Sequence, residues 1–565
     1  MTCESFTGGD KYTWTNKQAN PIRSNIDRVL MSTNWEQKFP LVHLTSLTRL
    51  GSDHCPLLLD TGEIYKKKTR QFYFKKQWLK EENFLEKIAE KWSQGKEKCP
   101  DSAYSLDKWH GLLVGLRKFL KGWGNNLRGD FRRRKDELIN KIKDIDALER
   151  AGMDPDGRCR ADLEFELETL IEKEELYWQQ RGAEKQILEG DANIAFFHLS
   201  ANGRRRKKSI LSLEEEGTLL TNQQQIRMVI EKFYKKLFGK QNPSSVSLNN
   251  DAWATKGRLS AEEDELLNSP FSEEEVRKVI FDMKENSAPG PDGFGVSFYK
   301  SCWEIIKNDF MELINDFHKG DLDLTRLNYG VITLVPKVKE ANNVKQFRPI
   351  CLLNVSFKIF TKLLMGRLTM VADKLIGQAQ TAFIKGRYIH DGAVLLHEIM
   401  HELRVSKKQG VVFKIDFEKA NDSVNWNFVE EVLTKKGFGE KSHHWIMSTI
   451  RGGKVCVNIN GENGNYFKTH RGLRQGDPLS PLLFNLAADA LDHILTKART
   501  KGRIRGVALN LVEGGITHLQ YADDTVILMD NDSQTLSNMK FLLYCFEWLT
   551  GLRINYLIVK LLPLE

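Results

Sequence analysis

The sequence predicts an α+β protein with a charged helical middle segment, followed by a C-terminal half that mixes helices with short strands. Apolar residues recur at helical spacing over 138–171, on either side of a Gly/Pro break. Short β-branched runs occur at 331–335, 411–416 and 525–528 and predict strands. The last run belongs to HLQYADDTVILM (518–529), where two adjacent acids interrupt an apolar stretch.

Composition excludes several classes of protein. With 565 residues, 41% hydrophobic and 28% charged, the chain fits a globular protein of several domains. No uncharged apolar run could span a bilayer, and no signal pattern opens the chain, so we expect neither secretion nor membrane insertion. The eight cysteines form no CxxC pair, which argues against a disulfide framework or zinc ribbon.

Positive charge is concentrated in the middle segment. The net charge is only +9, but 117–136 contains eight basic and two acidic residues, and 204–208 is a second basic cluster. The periodicity over 138–171 predicts an αα-hairpin with a basic outer face. From these residues alone, a solvated helix pair is the simpler interpretation, and a nucleic-acid contact is the alternative.

The adjacent Asp523 and Asp524 predict a metal site. Successive strand residues face opposite sides, so a tight turn between two strands is needed to expose both carboxylates. Asp416 ends another apolar strand and would join them if the two strands lay side by side in one antiparallel sheet. Three such carboxylates could hold two Mg²⁺ ions for in-line phosphoryl transfer.

Segments 414–424, 474–481 and 521–524 resemble the palm motifs of reverse transcriptases from non-LTR (LINE-type) retrotransposons, of the kind abundant in plants. The resemblance implies right-hand polymerase fingers and palm, with an antiparallel palm sheet and helices. It implies that Asp416, Asp523 and Asp524 are catalytic and bind two Mg²⁺ ions, with Mn²⁺ as an alternative.

The resemblance also implies a nucleotide site. Segments 335–337 and 347–350 resemble the fingers, where Lys337 and Arg348 would grip the triphosphate. Segment 380–387 resembles a template-contacting motif. The remaining nucleotide-binding positions implied by the palm motifs are Phe417, Asn421, Gln475 and Gly476.

Segments 12–16, 26–28 and 52–54 resemble the last part of the apurinic-type endonuclease that precedes such polymerases, a partial α/β sandwich. There Asp27, Asp53 and His54 would belong to the nuclease site. We expect a remnant without nicking activity, because the earlier half and its metal-binding Glu are absent.

Three regions follow: the endonuclease remnant (1–60), a charged, mostly helical linker (61–258) and the fingers and palm (259–565). Linker segments 177–181, 189–193, 196–198 and 202–206 resemble the family's, which favours RNA or DNA backbone contact by the basic run.

Two departures from the family pattern bear on activity. Asn421 stands where the family carries Tyr or Phe against the sugar, so we expect weaker exclusion of ribonucleotides. After 551–556, Ile558 replaces the usual Lys, and no thumb, RNase H-like or Cys/His region follows. We therefore expect a copy truncated at both ends.

The expected partners are an RNA template, a DNA primer or target and dNTPs, with no membrane; the expected location is the nucleus, or a cytoplasmic ribonucleoprotein. An RNA-dependent RNA polymerase is disfavoured by Ala522, since those enzymes generally carry Gly there. An inactive relic that only binds nucleic acid stays open as the alternative.

Overall fold

The computed structural model describes most of residues 71–563. Within that span it leaves out 101, 151–156, 183–208, 241–246, 248–252, 254–256, 340, 408–409, 511, 513 and 556–559. Before residue 71 it describes 2–3, 12–16, 22–32, 35, 39, 42–46 and 53–61.

The N-terminal stretches form three small antiparallel pairs, β1 with β4, β2 with β3 and β5 with β6. Their bounds are β1 Thr2–Cys3, β2 Trp14–Thr15, β3 Arg23–Ser24, β4 Leu30–Met31, β5 His43–Ser46 and β6 Leu57–Asp60.

The middle segment is helical, as predicted. Its elements are α1 Phe84–Glu97, α2 Ser105–Arg150, α3 Gly157–Gly182, β7 Leu213–Glu215, β8 Thr218–Leu220 and α4 Gln223–Leu237. Helices α2 and α3 pair as the predicted αα-hairpin. Ion pairs join them: Nε and Nη2 of Arg134 donate to the two carboxylate oxygens of Glu166, at 2.7 and 2.6 Å, and Lys135 Nζ lies 2.5 Å from Glu174.

The C-terminal half alternates helices and strands. The helices are α5 Ala261–Leu267, α6 Glu273–Phe281, α7 Val296–Ser301, α8 Trp303–Lys319, α9 Val355–Leu375, α10 Ile389–Val405, α11 Ala420–Ser423, α12 Trp426–Lys435, α13 Glu440–Ile450, α14 Ser480–Thr500 and α15 Ser533–Thr550. The strands are β9 Tyr329–Pro336, β10 Phe347–Leu353, β11 Gly410–Ile415, β12 Phe417–Glu418, β13 Lys454–Ile459, β14 Glu462–Asn463, β15 Phe467–Lys468, β16 His518–Tyr521, β17 Asp524–Asp530, β18 Arg553–Ile554 and β19 Lys560–Pro563.

These strands build two main sheets. The central sheet is antiparallel, in the order β16-β17-β11-β19. The mixed sheet runs β10-β9-β13-β14, with β15 also paired to β13 and with β13 parallel to β9. The three strands predicted from the sequence are β9, β11 and β17, which confirms a mixed helix-and-sheet fold.

Among the described residues, a large hydrophobic core joins the middle segment to the C-terminal half; its buried residues run from Phe74 to Ile554. Trp109 of α2 packs against Phe310 of α8 with ring centroids 5.0 Å apart, and Trp92 Nε1 donates to buried Asp309 at 2.9 Å. Much of the predicted linker is therefore packed against the later helices. None of the described helices combines the length and apolar character needed to cross a bilayer.

Buried Arg367 of α9 lies against the start of α6, where Ser272 caps the helix. The guanidinium donates to both carboxylate oxygens of Glu275, at 3.0 and 2.8 Å, and stacks 3.8 Å from the ring centroid of Phe271. It also donates to the carbonyls of Leu267, Ser269 and Pro270.

Replacing Arg367 with Met is expected to lower the free energy of unfolding by about 3–5 kcal/mol, because Glu275 and three carbonyls lose their buried donor. Chemical denaturation measures this change, with Arg404→Met on the exposed side of α10 as the matched control. A loss no larger than the control's would contradict the role given to Arg367.

Candidate active site

The register of the central sheet brings the three predicted carboxylates to one edge. Strands β11 and β17 are antiparallel, and Ile415 lies opposite Thr525. Asp416 follows Ile415 and Asp524 precedes Thr525, so the two residues meet where the strands end. The backbone of Asp416 is held by Asn555, whose N–H donates to its carbonyl at 2.8 Å. The predicted side-by-side arrangement of these strands is confirmed.

A two-residue turn carries the other acid. Tyr521 pairs with Asp524 across β16 and β17, which leaves Ala522 and Asp523 as the turn. Ala522 has φ of +54°, a left-handed conformation that costs a non-glycine residue roughly 1–2 kcal/mol. Such turns favour glycine at this position. The turn therefore presents Asp523 at its tip at the expense of local strain.

Negative charge is crowded at this edge. The pKa of Asp523 is raised, first by burial and then by repulsion from Asp524 and Asp416, while Lys337 opposes the shift. Asp524 Oδ1 lies 2.6 Å from Lys414 Nζ. The site thus draws positive charge toward its carboxylates.

The donor chemistry fits a hard divalent cation, since carboxylate oxygens are the ligands that Mg²⁺ prefers. As positioned, however, no three Asp, Glu, His or Cys side chains among the described residues lie close enough to share one ion. Asp524 is engaged by Lys414 instead. Binding a cation would require this ion pair to open.

Lys337 and Arg348 lie on the β9–β10 hairpin, where Arg348 is paired with Val335. Both side chains are exposed. The Lys337 N–H donates to the carbonyl of Gln346 at 2.8 Å, which fixes the backbone just beyond β9. Lys337 also opposes the rise in the pKa of Asp523, so its charge lies within electrostatic reach of that carboxylate.

Phe417, which directly follows Asp416, begins the short strand β12. Its side chain is buried and packs against Phe546, with ring centroids 5.9 Å apart. Successive residues of an extended segment face opposite sides, so Phe417 turns into the core when Asp416 faces the site. Only its backbone is available to a nucleotide.

Asn421 lies on the short helix α11, half-buried, and its carbonyl accepts from the Leu473 N–H at 2.6 Å. The next residue, Asp422, was missed from the sequence. It is 1% exposed, and burial raises its pKa to about 7 although Lys419 and Lys337 oppose the rise. Its position in the same polar segment as Asp416 was the available signal.

Gln475 and Gly476 lie against β10. The Cys351 N–H donates to the carbonyl of Gln475 at 2.8 Å, and the side chain of Gln475 is half-buried. Gly476 has φ of +110°, and a Cβ there would stand 2.7 Å from the carbonyl oxygen of Cys351. The close approach that Gly476 permits is therefore to the protein's own strand. Neighbouring Arg474, also missed, is buried and donates to Thr449 and Asn328.

Segment 380–387 turns two long polar side chains, as well as the apolar Ala382 and Ile384, toward the protein interior. Gln380 is 1% exposed and bonds to the Ala522 backbone, while the guanidinium of Arg387 donates to Asp373 and to backbone carbonyls. The exposed side chains are Phe383 and Lys385. A template contact by this segment would therefore involve those two residues.

The structure also groups the predicted nuclease residues. His54 Nδ1 lies 2.9 Å from Asp27 Oδ2, and Trp14 Nε1 donates to Asp53 Oδ2 at 3.0 Å. Hydrogen bonding from His54 is the main cause of a lowered pKa at Asp27. Their origin in an endonuclease stays a prediction.

Several predicted features lie outside the described residues. They are segments 189–193, 196–198 and 202–206, the basic cluster 204–208 and Ile558, and for 177–181 only the helical backbone is described.

Part of the chain is similar to a known protein family. The family described as "Reverse transcriptase (RNA-dependent DNA polymerase)" matches residues 335–556. The chain is 26% identical over 545 residues to the uncharacterized 149 kDa protein of transposon TX1 from Xenopus laevis, covering 94% of this chain and 40% of that protein. It is 29% identical over 261 residues to the Pol polyprotein of the type-1 retrotransposable element R2 from Nasonia vitripennis, covering 46% of this chain and 24% of that protein. The chain thus spans less than half the length of these relatives.

Proposed function

We propose that the chain extends a primer 3′-hydroxyl with dNTPs on an RNA template, through a reverse transcriptase domain related to those of non-LTR retrotransposons. The observation that carries the proposal is the β11–β17 register, which places Asp416 opposite Asp524 and beside the tip residue Asp523. Two separate segments of the sequence supply these three carboxylates to one sheet edge.

In this proposal the central sheet is the palm and the mixed sheet belongs to the fingers. Asp416, Asp523 and Asp524 would hold Mg²⁺, which supplies an activated 3′-oxygen and charge neutralisation of the phosphates. Lys337 and Arg348 would bind the triphosphate from the fingers hairpin, Arg348 by its planar fork. The exposure of both cations supports this assignment.

Lys414 has a defined part in the proposed site. Its ammonium lies 2.6 Å from Asp524 and offsets one negative charge in the described arrangement. To hold a divalent cation, Asp524 would have to separate from Lys414. Because both side chains are about half exposed, with side-chain accessibilities of 53% and 54%, water can solvate the freed ammonium.

Nucleic acid would follow the basic face of α2. Arg117, Lys118 and Lys121 line a cleft whose other wall includes Phe72 and Pro291. Such cations neutralise phosphates and release counterions. We also propose that the N-terminus derives from an endonuclease and that the protein is nuclear; these two proposals rest on the family resemblance alone.

Primer extension on an RNA template, with Mg²⁺ and dNTPs, tests the function. We expect a DNA product whose length follows the template and that requires both the RNA and the primer 3′-hydroxyl. A folded chain that binds the primer–template yet extends nothing, in Mg²⁺ or Mn²⁺, would instead identify a relic that only binds nucleic acid.

A further inference from the structure

Gln380 makes an unusual pair of hydrogen bonds to the turn that carries Asp523. Its side-chain Oε1 accepts from the Ala522 N–H at 2.8 Å, and its Nε2 donates to the Ala522 carbonyl at 3.3 Å. These two backbone groups lie on either side of the same Cα. One amide side chain therefore brackets the φ and ψ angles of a single residue.

Ala522, which accepts and donates these two hydrogen bonds, has a backbone conformation that needs such support. Ala522 is a non-glycine residue at φ of +54°, and it alone separates β16 from Asp523. Without the two hydrogen bonds from Gln380, the backbone of Ala522 would relax toward the right-handed or extended regions that alanine prefers. Asp523 would then leave the edge that it shares with Asp416.

Gln380 is itself held in place from several sides. Its Oε1 also accepts from the Ala382 N–H at 3.1 Å, and its carbonyl accepts from the Arg387 guanidinium at 2.7 Å. The neighbouring Ala379 carbonyl accepts from the Gln520 N–H at 2.8 Å, which extends the contact along β16. The segment is thus docked rigidly against the strand that leads into the turn.

Resting on the proposed function, we infer that Gln380 is a positioning residue that fixes the strained Ala522–Asp523 turn and thereby sets Asp523 for nucleotidyl transfer. The buried amide bonds to the backbone of Ala522 and Ala382. Its effect is exerted through the backbone of Ala522.

The test replaces Gln380 with Met, which keeps the length and removes both hydrogen bonds. Hydrogen exchange of the Ala522 amide, resolved by fragmentation mass spectrometry, is expected to speed up by on the order of 10-fold or more. In primer extension, kcat is expected to fall about 10- to 100-fold while the KM for dNTP changes much less. Gln534→Met, at an exposed position of α15, is the matched control.

Repeating the Gln380→Met substitution in a second protein, Ala522→Gly, distinguishes a positioning role of Gln380 from a role in packing alone. Glycine adopts positive φ without penalty, so the turn should need less support in an Ala522→Gly protein. The fold-loss in kcat caused by Gln380→Met is therefore expected to shrink several-fold in that background. Equal losses in both backgrounds, with unchanged exchange at residue 522, would overturn the inference.

The outcomes also distinguish this inference from the proposed function. Faster exchange in Gln380→Met, with no synthesis by the unaltered chain, would support the restraint of Ala522 by Gln380 and reject the proposed polymerase function. Synthesis by the unaltered chain that Gln380→Met leaves intact would reject the positioning role and keep the polymerase.

Discussion

Replacing Asp523 with Asn is expected to reduce primer extension by on the order of 10³-fold or more, because one carboxylate at the shared edge is lost. The substitution preserves side-chain shape while removing the charge. It also removes repulsion, since the pKa of Asp523 is raised first by burial and then by Asp524 and Asp416. The thermal midpoint should therefore stay level or rise while synthesis is lost.

Asp530→Asn is the matched control, because Asp530 stands at the far end of the same strand, opposite Gly410. It should leave synthesis near the unaltered rate. Extension that survives Asp523→Asn would exclude Asp523 from the reaction. A comparable loss in both variants would mean that the strand, and not the site, is sensitive to lost charge.

Replacing Asn421 with Phe is expected to raise the preference for dNTP over rNTP by about 10- to 100-fold, measured as the ratio of kcat/KM values. The backbone of Asn421 is fixed by its helix and by the 2.6 Å bond from Leu473, so a ring there cannot move away freely. In the family that this chain resembles, an aromatic ring at this position lies against the sugar and excludes a 2′-hydroxyl.

Asn421→Ala separates ring size from loss of the amide. It removes the polar group without adding bulk, so its discrimination should remain weak. Strong dNTP preference in the unaltered chain, or equal gains in the Phe and Ala variants, would contradict the steric explanation.

Local patterns predicted much of the fold. The β-branched runs became β9, β11 and β17, and the helical spacing over 138–171 became the hairpin of α2 and α3. The paired acids in an apolar run were a strong signal, because burying unpaired charge in a strand is costly. Only one further assumption, the antiparallel pairing of β11 with β17, was needed to bring these acids next to Asp416.

What the sequence did not disclose depends on long-range contacts. Nothing near Gln380 indicates that its amide will meet Ala522, 142 residues away. Nor does the local pattern of 474–481 show that Gly476 lies against Cys351. The burial of Phe417, by contrast, follows from its position next to Asp416 and the alternation of extended segments.

The most direct test of the shared carboxylate site is a titration of Mn²⁺, followed by electron paramagnetic resonance, with a chain-terminated primer on RNA and the matching dNTP. We predict bound Mn²⁺ that is lost or greatly weakened in both Asp416→Asn and Asp523→Asn. Binding that is the same in the unaltered chain and in both variants would contradict a metal site at the edge of the central sheet.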